Sequence, residues 1–482
     1  MISVEAGDLI RILPQTVLAA FAILVMVFEP FLPAGRRAVL GWLALFGVIA
    51  AGAAAVRTSD SPGLAFGGSI AADPFGLYFI FLFLFVAALS LLGSFDYLRR
   101  DNIHHGEFYA LVLMATVGMC FMAASTDLIL IFLGLEISSI ATYILAGFKR
   151  HDARSNEAAL KYFLLGSFAT AFFLYGIAFT YGITGTANLA ALSNRLHPAP
   201  NHSTMLWVAL LLMFVGLAFK VSTVPFHVWT PDVYQGAPAP VTAFLSVGPK
   251  AAAFAIMLRI FLGAFSGTGP LTFWLLWTSA ALTMIVGNLA ALLQTNVKRM
   301  LAYSAIAHAG YVLVGIATSG REGTSSVMFY LVVYALMNVG AFILIAHLAG
   351  TGERWMDFDN FRGLGFARPG AAACLTVLML SLGGFPTTAG FLGKFYLFRA
   401  AVHADLIGLT VIAVVTSVIS VYYYLRLVVV MYMHEGRPEA ALVPLPWPLK
   451  IALAVCVAGI FLLGLFPSDL LIFTHLAATP LP

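Results

Sequence analysis

Charge is what this chain has least of: Asp, Glu, Lys and Arg make up 10% of 482 residues, against about 25% in soluble globular domains. Hydrophobic residues reach 61% and mean hydropathy is +0.97, which excludes a soluble enzyme and leaves no stretch for a separate soluble domain. The net charge of +4 is small for this length and gives no sign of nucleic acid as a partner. Cysteine is nearly missing too. Cys120, Cys374 and Cys456 stand alone in apolar segments, without the paired spacing of a zinc site, an iron–sulfur cluster or a disulfide framework. No metal or redox centre is therefore expected in this chain. The opening MISVEAGDLIRILPQ is acidic before it is basic and does not read as a signal peptide, so the first apolar run is expected to be retained.

What is present is a succession of apolar runs of about 20 residues, the length that crosses a hydrocarbon core. Bounded by charges, Gly and Pro, they predict an all-α polytopic membrane protein with fourteen spans: 9–31, 38–56, 74–98, 107–124, 126–148, 155–182, 204–230, 237–262, 270–294, 297–318, 324–349, 370–398, 405–433 and 447–466. Spans seven and twelve contain internal breaks. Lys and Arg gather in the loops after odd-numbered spans (Arg36, Arg37, Arg99, Arg100, Lys149, Arg150, Arg154, Lys298, Arg299, Arg354, Arg362, Arg368, Arg437), with Arg11, Arg57, Arg195, Arg259, Arg321 and Arg399 on the other side. The positive-inside rule then puts the odd loops in the cytoplasm and both termini in the periplasm.

The chain also resembles itself. The segment from Thr126 can be laid on that from Thr295 at an offset of 169, Lys161 onward lies on Phe329 onward at 168, and the break at Pro225 has a counterpart at Pro386 at 161. About five spans separate equivalent points, and an odd number turns the second copy upside down, as in many transporters. The expected organisation is helices one to three in 1–105, a five-helix unit in 106–265, its inverted partner in 266–435, and a last helix in 436–482.

There are only seven lysines, and Lys161, Lys220, Lys250 and Lys394 fall inside spans or at their breaks. A charge at the bilayer centre costs about 2.5–3.5 kcal/mol or more, so such residues usually face a wet interior and carry function. Snorkelling to the interface is the plainer alternative, strongest for Lys161 and Lys394. Glu136 is the only acid deep inside a span, and Glu136, Lys220, Lys250 and His308 lie near the middle of spans five, seven, eight and ten. A row at one depth suits lateral proton transfer. Burial makes a lysine give up its proton more readily and a nearby carboxylate makes it hold on, so moving the carboxylate can load or unload it. His227 and His308 can relay protons; for these, and for His347, a buried imidazole bonded to a backbone carbonyl is the alternative. Pro225, and Gly384 with Pro386, free backbone groups that are expected to face water and the neighbouring lysines. Pro249 either loosens span eight in the same way or makes a packing kink.

Three stretches carry a resemblance: KVSTVPFHVWTPDVYQGAPAPVTAFL, the mid-span GLE, and GGFPTTAGFLGKFYLF. Together they resemble the antiporter-like membrane subunits of respiratory complex I, the bacterial NADH:quinone oxidoreductase, and among these the N-type, over nearly the whole chain. The resemblance implies fourteen helices, two inverted five-helix units, broken helices seven and twelve, and proton pumping in the bacterial inner membrane. It implies that Glu136 and Lys220 are the interacting acid and lysine of helices five and seven, with Lys161 a further member. Lys250 would be the central lysine of helix eight and Lys394 that of helix twelve, while His227 and His308 match less constrained positions. The M-type carries glutamate in place of Lys394, and the L-type continues into a long lateral helix not seen here. Flavin, iron–sulfur clusters and quinone would sit on other subunits, and the partners would be the sibling antiporter-like subunits and the lipid bilayer. A multisubunit cation/proton antiporter subunit remains an alternative, as does a stand-alone secondary transporter, and Na⁺ as the transported ion stays open.

Overall fold

The computed structural model describes residues 5–196, 204–265, 269–435 and 443–478. The expected boundaries at 266 and 436, Arg437, part of the loop between spans six and seven and both chain ends lie outside these. Among the described residues, thirteen helices are long and apolar enough to cross a membrane. The expected twelfth span is instead two shorter helices, Pro369–Gly383 and Ala389–His403. Span seven likewise divides into Thr204–Val221 and Trp229–Gly236. Helix starts follow local chemistry: Asp73, Asp127, Asp152 and Asn296 each cap a first turn with a side-chain oxygen, satisfying amides that have no partner within the helix.

Burial sorts the helices into a centre and a rim. Span eight (Ala239–Ala264) is wholly buried and spans ten (Val297–Ala317) and eleven (Arg321–Leu348) nearly so, while spans one (Leu13–Phe31), six (Ala153–Thr184), thirteen (Ile407–Met433) and fourteen (Trp447–Leu465) present one side outward. That outer side carries large apolar residues such as Phe168, Val418 and Leu462, as expected of a surface solvated by lipid.

The loops after odd-numbered spans share one end of the bundle and are tied together largely by charge. Arg37 donates to the His104 carbonyl at 3.0 Å, Lys149 pairs with Asp101 at 2.6 Å, Arg150 with Glu107, and Lys298 with Glu353 at 2.6 Å. The opposite end is tied in large part by backbone. A β-hairpin, Gly63–Ala65 with Ile70–Ala72, interrupts the expected all-α pattern between spans two and three. Its Ser69 carbonyl accepts from the Thr126 amide at 2.9 Å, and the Leu128 amide donates to Ala187 at 2.9 Å.

The sequence reading counted Arg259, near the end of span eight, among the charges of that side; the structure shows what holds it there. Span eight continues as a π-helix, Leu258–Ala264, and Arg259 is buried in it, paired with Asp73 at 2.7 Å and donating to the Ala123 carbonyl at 2.8 Å. A buried guanidinium is stable there because a carboxylate and a carbonyl both meet it. Three short helices, Ala6–Arg11, Leu189–Leu196 and Ser468–Ala477, were not expected; each is too short to span a bilayer and too brief to stand out by periodicity.

Candidate functional site

Span seven stops at Val221, and Lys220 occupies its last turn, 4% exposed. A helix C-terminus favours a cation, because its unpaired carbonyls give it partial negative charge. The Lys220 ammonium lies 3.4 Å from the Tyr143 hydroxyl and over the rings of Tyr143 and Tyr162, at 4.9 and 5.3 Å. Glu136, on span five, is near enough to act on it electrostatically. The two do not form a locked ion pair: Oε1 of Glu136 is buried with no hydrogen-bond partner. The break itself is closed by backbone amides and side chains rather than by the lysine: the Ser222 and Thr223 amides donate to the Phe219 and Ala218 carbonyls, at 3.1 and 2.9 Å. The Phe219 carbonyl accepts from the Trp229 indole at 3.0 Å, and the Val224 amide donates to Thr283 at 3.0 Å. Lys220 itself makes neither of these two contacts.

Lys250, 2% exposed, donates to the Ala305 carbonyl of span ten at 3.2 Å and lies 5.4 Å from the centre of the Tyr234 ring. Pro249 lies inside a helix that runs unbroken from Ala239 to Met257. It cannot donate to the carbonyl of Leu245 four residues back, and that carbonyl accepts from the Tyr234 hydroxyl at 3.3 Å. One turn beyond Ala305 on span ten stands His308. Its Nδ1 meets the Tyr330 hydroxyl and its Nε2 the Tyr424 hydroxyl at 3.0 Å, and Tyr424 in turn meets Ser304. The carbonyl-bonded alternative fails for His308. It describes His347, whose Nε2 lies 3.1 Å from the Val443 carbonyl. His308 is also close enough to Lys250 and Lys394 to interact with both charges.

Lys394 sits in the second half of span twelve, 4% exposed. It donates to the carbonyls of Leu382 and Gly383, at 3.0 and 3.1 Å, and to Ser417 at 3.0 Å. These are carbonyls freed by the break before Pro386, so at this end the lysine itself meets the interruption. Gly384 turns the chain with φ +85, where a Cβ would lie 3.2 Å from the lysine side chain; glycine alone meets both demands. The ammonium also lies over Tyr311 at 5.2 Å, and Tyr311 accepts from Asn288, which accepts from Tyr423. A cavity of about 260 Å³ beside Lys394 is lined by Ser417, Phe391, Phe395 and Val418.

Lys161 stands apart. It is 40% exposed, paired with Glu157 at 2.7 Å and Asp232 at 2.8 Å, and it lines a polar cavity of about 490 Å³ at the charged end of the bundle. Asp232 also takes Arg299 at 2.8 Å. His227 lies in the break of span seven, half-buried, with Nδ1 unpartnered. The structure thus brings Glu136 to Lys220, and Lys250 to His308 and Lys394, with Lys161 at a mouth. Between Lys220 and Lys250 the contacts are aromatic: Tyr162 stacks on Trp229 at 4.5 Å, and Trp229 meets Tyr234 at 6.1 Å.

Sequence reasoning missed the tyrosines and the Asp232 cluster. One signal was available: Tyr422, Tyr423 and Tyr424 run together in mid-span, whereas membrane tyrosines usually gather at the interfaces. At the same charged end, burial raises the affinity of the Glu353 carboxyl for its proton. The ammonium groups of Lys298 and Lys149 outweigh that, assisted by hydrogen bonds from Lys298 and Tyr97, and hold its pKa below the usual carboxylate value.

Residues 125–420 match the family model described as NADH:quinone oxidoreductase/Mrp antiporter, TM. The chain is 49% identical over 475 residues to a Solibacter usitatus protein named NADH-quinone oxidoreductase subunit N 1, covering 98% of each. A chain of respiratory complex I from Thermus thermophilus superposes with TM-score 0.82 at 36% identity, over 97% of this chain and 100% of that one. A chain of the Mrp complex from Dietzia superposes with TM-score 0.85 at 22% identity, over 97% of each, a likeness of fold.

Proposed function

From the premise that the chain belongs to the family of membrane subunits shared by NADH:quinone oxidoreductases and Mrp antiporters, we propose that it works as the subunit-N component of a bacterial NADH:quinone oxidoreductase. It is a multi-pass membrane protein, and in that complex it translocates protons. The observation that carries the assignment of roles is the set of three buried ammonium groups, two of them at helix breaks and one met by an unlocked carboxylate.

In this reading Glu136 sets the protonation of Lys220 by approaching or withdrawing, since no ion pair fixes it. Lys250, His308 and Lys394 continue the relay. His308 can pass a proton because both ring nitrogens meet hydroxyls, so a proton arriving on one nitrogen can be matched by one leaving from the other. Lys161, with Asp232 and the 490 Å³ cavity, forms the mouth, and His227, in the break of span seven, is a further relay group. Helices four to eight and nine to thirteen act as inverted units, with the odd-numbered loops in the cytoplasm and both termini in the periplasm of the inner membrane. Flavin, iron–sulfur clusters and quinone belong to other subunits, and sibling antiporter-like subunits flank this chain. The shared Mrp family and fold keep a cation/proton antiporter subunit as the second reading, which co-purification with NADH-oxidising subunits separates.

The test is proton uptake by vesicles holding the whole complex. Lys220→Ala and Lys220→Arg are both expected to lower it, although arginine keeps the charge, because arginine does not release its proton. NADH oxidation with an artificial acceptor should be unchanged. Full pumping by Lys220→Arg removes Lys220 as a proton carrier and leaves it as a fixed charge.

A further inference from the structure

A second cavity, of about 390 Å³, lies at the charged end of the bundle, away from the row of buried lysines. Three helix ends make it: the C-terminus of span eleven, with His347 and Leu348, and the N-termini of the first half of span twelve and of span fourteen, with Arg368 and Lys450. The titratable side chains among its lining residues are all basic. Arg368 is half-buried and Lys450 exposed, and neither has an ion-pair partner among the described residues. Opposite them, His347 meets the Val443 carbonyl at 3.1 Å through Nε2, with Asp96 3.4 Å from its other nitrogen, and forms a wall of the cavity. Pro369 opens the span-twelve helix, and the amides of Gly370 and Ala371 follow it at the cavity edge, where the first amides of a helix have no intrahelical acceptor. The rim is apolar. Trp447, 75% exposed, lies under the Lys450 ammonium at 5.0 Å, and Phe366 and Val443 are exposed beside it, the mixture of ring and cation found where a protein meets the headgroup layer.

A pocket whose two cations have no ion-pair partner among the described residues, with helix-start amides and a lipid-facing apolar rim, fits one kind of occupant. We propose that this cavity binds the phosphate of an anionic phospholipid, with Arg368 and Lys450 meeting the phosphate oxygens and the acyl chains lying along Phe366 and Trp447. Arginine supplies a planar fork that matches two phosphate oxygens, and lysine supplies a point charge. Basic pockets between helix ends at the positively charged face of a membrane protein are suited to such headgroups. The site does not depend on proton carriage by the buried lysines.

The experiment uses the assembled complex in phosphatidylcholine vesicles doped with a photoactivatable phosphatidylglycerol or, at equal content, a photoactivatable phosphatidylcholine. Adducts are mapped by peptide mass spectrometry. The anionic probe should label residues 366–371 and 443–450 several-fold more than the zwitterionic one. Arg368→Gln with Lys450→Gln should abolish that preference, whereas Arg57→Gln, at the other end of the bundle, should leave it intact. Excess inorganic phosphate should not compete, since it lacks the chains; full competition would make this a free-anion site and overturn the lipid assignment. Equal labelling by the two probes in the unaltered complex overturns it as well, and that arm needs no variant to fold.

Discussion

The two interrupted helices hold their lysines in opposite ways. At the break of span seven the freed carbonyl and amide are closed by Trp229 and Thr283, and Lys220 is left with one hydroxyl at 3.4 Å and two aromatic faces. At the break of span twelve Lys394 itself closes the gap, with three oxygen acceptors at 3.0–3.1 Å. The first lysine has an acid nearby and few fixed bonds. The second has fixed bonds and no carboxylate among its hydrogen-bond partners. A group that must change its charge quickly is better served by the first arrangement, and a group that must hold a helix break together by the second. The difference predicts that function and stability divide between the two sites.

The largest effect is expected at Glu136. Glu136→Gln keeps the shape and removes the charge that acts on Lys220, so pumping by the complex should fall by about tenfold or more, equivalent to ~1.4 kcal/mol on the limiting barrier. Glu136→Asp should retain more. Equal pumping by wild type and the Gln variant would erase the functional half of the comparison. Next in size is the stability of the Lys394 site. Lys394→Met leaves two buried carbonyls and a hydroxyl without their donor, at about 1–3 kcal/mol for each group left unsatisfied, and should lower the midpoint of thermal dissociation clearly. Lys220→Met removes one long contact and should cost about 1 kcal/mol or less by the same measurement. If the two methionine variants melt alike, the breaks are not held differently.

A smaller effect sharpens the contrast from within span eight. Tyr234→Phe leaves the Leu245 carbonyl, freed by Pro249, without its hydroxyl donor, a loss of about 0.5–1.5 kcal/mol, while the ring under Lys250 is kept. Pumping should therefore change less than stability; the reverse would give the hydroxyl a place in the relay.

The smallest concerns the charged end. The Glu353 carboxyl titrates below its ordinary value in the folded protein, so its contribution to stability is complete above the unfolded value of about 4.3 and is lost as pH falls through the lower folded one. Melting of the complex from pH 7 to 5 should be indifferent to Glu353 titration, and the drop below about 4.3 should be shallower in Glu353→Gln. A loss already present at pH 6 would mean another group governs this end.

Much of this was legible in the sequence because membrane spans announce themselves by length and composition. Both broken helices were found where a proline falls inside an apolar run, and Lys220, Lys250 and Lys394 were found because a buried cation is rare. The missed features have a common cause, since they are made between helices. Nothing near Tyr330 in the chain says that its hydroxyl meets His308 of another span, or that Trp229 reaches back to Phe219. The ion pair of Arg259 was missed because its partner Asp73 is 186 residues away. The β-hairpin was missed because strands of three residues carry too little alternation to be seen.

The unlike stitching of the two ends has a mechanical consequence. Backbone hydrogen bonds between the hairpin, Thr126 and Ala187 do not respond to protonation and are indifferent to salt, whereas the opposite end is joined through Lys149, Arg150, Lys298 and Arg299 to four carboxylates, contacts that weaken with ionic strength wherever they reach the surface. One end is therefore the fixed jaw of a vice and the other the screw. If a proton moves along the buried row as proposed, the resulting change in field would act more on the jaw richer in exposed charges than on the hairpin end.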